Sequence, residues 1–435
     1  RFGRPLQQGL ALLASSLALL QAGTVLAAPP ATGIECTTGG STNPTFSLDA
    51  KPGYIQLPDG NTMYMWGYAP GGGSFQQPGP VLCVDEGDTV TVILNNTLPE
   101  DISIIFPGQE NVLANGAPAQ PQFTTDATPV LTSLTNVAPA NGGSVTYSFV
   151  ATSPGTYIYE SGTNPAKQVR MGLFGALVVR PATAGADYMN DRVDSQFTPT
   201  EEFMVLLSEI DPYLNQAAER GQPFNLNDYH PRYWLINGRG FPDSIADNDA
   251  TYLPGQPYGA LAQIHPFNPD SGAGVDYHPY PGAIRYLNVG TEDYPFHPHA
   301  NNGVVIGRDG SALENSAGQD LSFEKFVVNV GPGQTWDVTF KWYDAEGYAD
   351  QDGKRVPVTI PQVNNQEFGM FYSGSPYLGQ MGTLPPGAST LNECGEYYII
   401  SHNHALYQIT SWGVNLTGPI TYMRVDPPLS QSTCP

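Results

Sequence analysis

Two short patterns concentrate the residues able to do chemistry: His297-Pro298-His299 and His402-Asn403-His404. The chain has 7 histidines, and four of them lie in these two pairs. On an extended strand the side chains of positions i and i+2 leave the same face, so each pair projects two imidazoles together. Imidazole is a ligand for copper, zinc, iron and nickel, which makes transition-metal binding the first chemistry to consider. The alternative reading is that the paired histidines cap loops or pack against tyrosines. Other candidates carry less. Asp344, Glu346, Asp350 and Asp352 form an acidic loop ending at Gly353, but the ligand positions and closing glutamate of an EF-hand are not met. Ser161 stands in Glu-Ser-Gly without a nucleophile elbow around it. His230, His265 and His278 lie among prolines and tyrosines and read as surface residues, and the 24 tyrosines read as packing.

The elements that must position these groups are strands. Of 435 residues, 48 are Gly and 41 are Pro, which breaks long helices, while 40% are apolar, enough for packed cores. A helical bundle, a coiled coil and a disordered chain are excluded on this ground. Thr89–Ile93 and Ser144–Val150 alternate apolar with polar residues, and Gly172–Arg180 is a continuous apolar run suited to a strand covered on both faces. Further strands are expected at Phe203–Ser208, Tyr233–Asn237, Ala283–Val289, Val304–Arg308, Phe326–Val330, Trp336–Trp342 and Tyr397–Ile400, with a short helix near Tyr213–Gly221. Val84-Asp85-Glu86-Gly87-Asp88 before Thr89–Ile93 is echoed by Val330-Gly331-Pro332-Gly333-Gln334 before Trp336–Phe340, which suggests two related β-domains. The expected organisation is a signal peptide over 1–27, a first domain over 28–182, a linker over 183–200 and a second domain over 201–435, with a long insertion near 343–392.

Arg1 and Arg4, the apolar stretch Leu10–Leu20 and the small residues before Ala28 form the export pattern, so the mature protein is expected outside the cytoplasm, secreted or periplasmic, with no membrane span after processing. In an oxidising compartment Cys36, Cys83, Cys394 and Cys434 suggest two disulfides. Three pairings are possible, and Cys36–Cys83 with Cys394–Cys434 is favoured. The net charge of −23 would repel a phosphate backbone, so no nucleic-acid partner is expected.

Tyr294-Pro295-Phe296-His297-Pro298-His299 resembles the third His-x-His element of the multicopper oxidases, His-Pro-x-His-x-His, and Ile400-Ser401-His402-Asn403-His404 resembles the fourth, His-Cys-His. Gly155–Tyr159 with Met171–Val179 downstream, and Trp234-Leu235-Ile236-Asn237-Gly238, match further, so the resemblance covers roughly residues 80–180 and 200–425. It implies an all-β protein of tandem cupredoxin-like Greek-key β-sandwich domains, of the two-domain kind. The family's first and second elements would fall at Ile105-Phe106-Pro107 and Glu160-Ser161-Gly162, where no histidine stands. Its type 1 copper ligands, His, Cys and His, align with Tyr294, Asn403 and Gln408, and no Met occurs between Gly382 and Tyr422. The resemblance therefore implies that ordinary laccase-type electron entry is absent and that one ion, copper foremost, is held by His297, His299, His402 and His404. Glu160 is a further candidate ligand, from the facing surface of the first domain of the same chain or of a neighbouring one, since the resemblance implies a homo-oligomer, a trimer or a larger assembly; the alternative is a solvated carboxylate. Two other function classes stay open: an assembly subunit of an extracellular layer or filament, and an oxidoreductase with a non-standard mononuclear copper site.

Overall fold

The computed structural model describes residues 32–40, 42–185, 187–267, 278–299, 302–342, 358–364, 377–380, 397–413 and 416–426. The segment 1–27, the acidic loop Asp344–Gly353 and the cysteines Cys394 and Cys434 lie outside the described residues. Of the stretch 343–392, the strands Val358–Asn364 and Tyr377–Gln380 are described, and they pair with each other in parallel.

The chain is all-β, built as two successive sandwiches. In the first, a four-stranded sheet runs Cys36–Thr37, Val81–Asp85, Phe174–Arg180, Gly155–Glu160, and faces a six-stranded sheet that includes Thr62–Pro70, Thr45–Gln56, Thr89–Asn96 and Ser144–Val150. Thr89–Asn96 and Ser144–Val150 pair in antiparallel register, and their alternating burial puts Val90, Val92, Leu94, Val145, Tyr147 and Phe149 into one core. In the second, a seven-stranded sheet centred on Glu202–Ile210, Gly282–Asn288 and Thr335–Phe340 packs on a five-stranded sheet, with Trp234, Tyr286, Phe296, Val338 and Ile399 between them.

The echoed turns are structural equivalents. Gly87 (φ +89°) and Gly333 (φ +74°) both sit in the left-handed region that glycine tolerates, each two residues before a strand. Each turn passes the chain from one sheet of its sandwich to the other. Phe174–Arg180 is buried along almost its whole length because both faces are covered. Leu177 and Val179 face the first core, while Ala176 and Val178 join Met204, Leu206 and Leu287 in a layer shared by the two sandwiches.

The helix Pro212–Glu219 is present, with Asp211 accepting from the Tyr213 N–H as its N-cap. Cys36 and Cys83 are joined as a disulfide, Cα to Cα 5.4 Å, tying the edge strand to its neighbour. The segment 183–200 is packed down: Met189 and Phe197 are buried with Ala283 and Ile306, and Arg192 is ion-paired to Asp194 and Asp320. Two further long strands, Thr45–Gln56 and Thr62–Pro70, lie outside the expected set, and Pro52-Gly53 inside the first has the local signature of a turn. In the fold Pro52 pairs with Trp66, and the Phe75 ring lies where a Gly53 side chain would be. Ile420–Val425 was also unforeseen; it pairs along the whole strand that carries His402.

Candidate metal centre

Each histidine pair straddles a strand end. His297 belongs to Tyr294–Pro298 and His402 to Tyr397–Asn403; the strands are antiparallel neighbours, with His297 directly opposite His402. The backbone of His404 donates to the Pro295 carbonyl (2.7 Å) and that of His299 to the Ile400 carbonyl (3.2 Å), which extends the pairing past both ends. Alternation then does the sorting. Tyr294, Phe296, Ser401 and Asn403 turn inward and are buried, while all four imidazoles share the other, partly open face.

The rings converge. Centroids of His297 and His299 are 4.4 Å apart, His299 and His402 5.1 Å, His297 and His404 5.6 Å, and His402 and His404 5.6 Å. Nε2 of His299 lies 3.0 Å from Nε2 of His402. Nδ1 of His297 contacts the Phe326 carbonyl (2.5 Å) and Nδ1 of His402 the Asn403 carbonyl (2.6 Å). A carbonyl accepts only, so both rings carry the proton on Nδ1 and turn a lone pair on Nε2 to the cluster, as metal-ligating imidazoles do. Burial together with the neighbouring His297, His402 and His404 pushes the His299 imidazole down to about 4, and burial foremost also lowers His402. Both are therefore neutral at physiological pH, the form that binds metal. No three of the four histidines bring their nitrogens within 4.8 Å of one another, so one ion held by the whole set needs the rings to turn toward it.

The inward positions form a hydrogen-bonded polar network. Asn403 donates to Gln408, Gln408 donates to Glu292 (2.6 Å), Trp234 donates to the same carboxylate (2.9 Å), and Tyr294 donates to Glu209 (2.6 Å). Glu209, Glu292 and the Phe326 carbonyl were not foreseen from the sequence, since nothing in their local spacing marks them.

Glu160 ends the strand Gly155–Glu160 in the other sandwich, where it exchanges backbone hydrogen bonds with Ile105 (2.8 and 3.2 Å). The positions aligned with the family's first and second elements are thus neighbours, as are those of the third and fourth. Burial alone pushes the Glu160 carboxyl up to about 7 from 4.5. A raised folded-state value means stability is full below about pH 4.5 and falls until about pH 7. In metal-depleted protein, Glu160→Gln is expected to add about 2–3 kcal/mol at pH 8 and nothing at pH 4, read from urea midpoints.

Ser161 is buried and donates to Gln168 (2.6 Å), a structural contact. His230 is exposed, as expected. His265 and His278 are not the surface residues that their loops suggested. Their side chains are only 17% and 16% exposed, and both Nδ1 atoms approach Oε1 of buried Glu201, at 2.9 and 2.7 Å. Burial opposes protonation of His265, but the hydrogen bond and charge of Glu201 outweigh it and raise the imidazole. Among the described residues no helix is long and apolar enough to cross a membrane.

Comparison with known proteins agrees with the all-β fold. A multicopper oxidase family model matches residues 57–184. The chain is 24% identical over 374 residues to a probable nitrite reductase–hydroxylamine oxidoreductase fusion protein of Kuenenia stuttgartiensis, covering 83% of this chain and 35% of that protein. It is 31% identical over 189 residues to Laccase-2 of Cryptococcus neoformans var. grubii, covering 41% of this chain and 28% of that one. It thus spans about a third of the length of these relatives. Among solved structures, a blue copper oxidase from Nitrosomonas europaea superimposes with a TM-score of 0.55 at 17% identity, over 88% of this chain and 85% of that one. The multicopper oxidase mgLAC gives 0.54 at 18% identity, over 88% and 86%.

Proposed function

Because this chain belongs to the multicopper oxidase/cupredoxin family, for which copper is the implied metal, we propose that it is an exported copper-binding protein with one ion per chain, held by His297, His299, His402 and His404. The observation that carries this reading is the convergence of four imidazoles on one face, two of them fixed through Nδ1 by backbone carbonyls. Four nitrogen donors suit a single copper ion, which would supply a one-electron redox centre. They do not make the eight-histidine set of a trinuclear cluster. The type 1 positions are occupied by Tyr294, Asn403 and Gln408, which hydrogen-bond to carboxylates and to each other. On this reading the blue site is gone and standard laccase chemistry with it.

Elemental analysis of natively purified protein is expected to find about one copper per chain, lost in His297→Ala/His402→Ala. Removing the partner of one ligand costs metal proteins about 10–100-fold in affinity, so removing two ligands should cost more than about a thousandfold. Absence of stoichiometric metal after reconstitution with copper would overturn the proposal and move the assembly-subunit reading to first place.

Glu160 enters as a ligand from a second copy. Support comes from apolar side chains left exposed beside both partners: Phe326 (64%) and Leu406 (69%) near the histidines, and Leu134 (46%) beside Gly162. A closed trimer is the expected assembly, by resemblance to two-domain relatives, and sedimentation equilibrium checks it. A monomer at working concentration removes Glu160 from the ligand set, and an open-ended series of sizes favours a layer or filament.

A further inference from the structure

Glu201, His265 and His278 bring one oxygen and two nitrogens within 4.8 Å of one another, the one trio of His, Cys, Asp and Glu side chains that does so among the described residues. They come from three places in the chain: just before the strand Glu202–Ile210, just after Ala262–Ile264, and shortly before Gly282–Asn288. Each is fixed by its backbone. Glu201 donates to the Thr198 carbonyl (2.8 Å) and accepts from the Ala283 N–H (2.7 Å). The His265 N–H donates to Oε1 of Glu201 (2.9 Å), and the His278 N–H to the Pro266 carbonyl (3.0 Å). The imidazole rings lie 4.4 Å apart at 32° to one another, so their Nδ1 atoms approach the carboxylate side by side.

Hydrogen bonding alone leaves this arrangement incomplete. Nδ1 of His278 is 2.7 Å from Oε1 but not aligned with it as a hydrogen bond, and that buried nitrogen has no other partner. A buried polar atom left in this state is destabilising. A cation between the three atoms satisfies all of them at once. Two imidazoles and one carboxylate are a recurrent donor set for zinc and neighbouring dications, with a fourth position for water. Both imidazole side chains keep some solvent exposure, which leaves room for that water. At metal–ligand distances near 2.0–2.1 Å, tetrahedral ligand atoms sit about 3.3 Å apart, so insertion needs a widening of about half an ångström.

We infer that Glu201, His265 and His278 form a second metal site, binding a divalent transition ion of the zinc class and fastening three distant parts of the second sandwich. It is separate from the four-histidine face. Ile264 pairs with Val425, which pairs with Tyr397, and His402 stands five residues further along that strand, about 17 Å away. The inference does not depend on copper at the first site.

The test uses the full chain carrying His297→Ala/His402→Ala, stripped with chelator and titrated with zinc alone. One zinc per chain is expected, with imidazole nitrogen and carboxylate oxygen in its X-ray absorption spectrum. Adding His265→Ala/His278→Ala should weaken zinc binding by more than about a hundredfold. His278→Gln, which keeps a polar side chain beside Glu201, provides the second variant if the double change prevents folding; it should cost at least about tenfold while leaving the zinc-free urea midpoint in place. No stoichiometric zinc in the parent variant, or zinc binding undiminished by either change, overturns the site.

Discussion

Arg285→Met is expected to destabilise the protein by about 3–5 kcal/mol, the range for removing one partner from a buried charge network. The guanidinium is fully buried; its Nε donates to Glu202 (2.7 Å) and Nη1 to the Thr156 hydroxyl (2.9 Å), with Asp337 at 3.4 Å. Burial opposes ionisation of Glu202, yet Arg285 and Arg180 together hold its carboxyl below the usual range. Asp337, farther from the guanidinium, is left with its carboxyl raised by burial. Methionine fills much of the arginine volume but supplies no charge, so among the described residues Glu202 is left with Arg180 and Asp337 with its contacts to Thr156. Thr156 belongs to the first sandwich and Asp337 to the second, so the loss falls on the contact between them. Urea unfolding followed by tryptophan fluorescence measures it. A change below about 1 kcal/mol would mean that water replaces the guanidinium at no net cost.

The copper-loaded protein is expected to show no intense visible thiolate-to-copper absorption and to oxidise phenols no faster than an equal concentration of free copper. A blue copper site takes its colour and fast electron transfer from a copper–thiolate bond within a His2Cys set. Here the residue between the last two histidines is Asn403, fully buried and donating to Gln408, with Glu292 next in line. Cys36 and Cys83 are committed to their disulfide. Absorption spectra and dioxygen consumption, with and without His402→Ala, decide the matter. Turnover well above free copper that disappears in the variant would establish the mononuclear oxidoreductase reading instead.

Much of the fold was legible because burial imposes periodicity. The alternation of Thr89–Ile93 and the unbroken apolar run before Arg180 state directly which strands have one covered face and which have two. The four histidines were legible for the same reason, since an i, i+2 spacing on a strand is a statement about direction. Pro52-Gly53 concealed a long strand because its local signature is a turn, and only the partner strand and Phe75 reverse that preference. Glu201 and its two histidines were hidden differently. Glu201 stands 64 residues before His265, and single residues next to different strands leave no local spacing to read. Tyr294, Asn403 and Gln408 were singled out only as positions aligned with copper ligands; their hydrogen-bonded network was not foreseen, because Glu209 and Glu292 reach it only through the tertiary fold.

The two histidine pairs meet across an antiparallel seam, where His299 and His402 touch although they are 103 residues apart in the chain. Closing a segment of that length costs entropy that only the finished sheet repays. No fragment shorter than that span holds the four imidazoles together, so on the proposed four-histidine reading the metal would not template early folding of the chain. On that reading the polypeptide is expected to complete its β-structure first and to take up the ion last. Metal scarcity during growth should then yield folded apoprotein awaiting copper, and not misfolded chain.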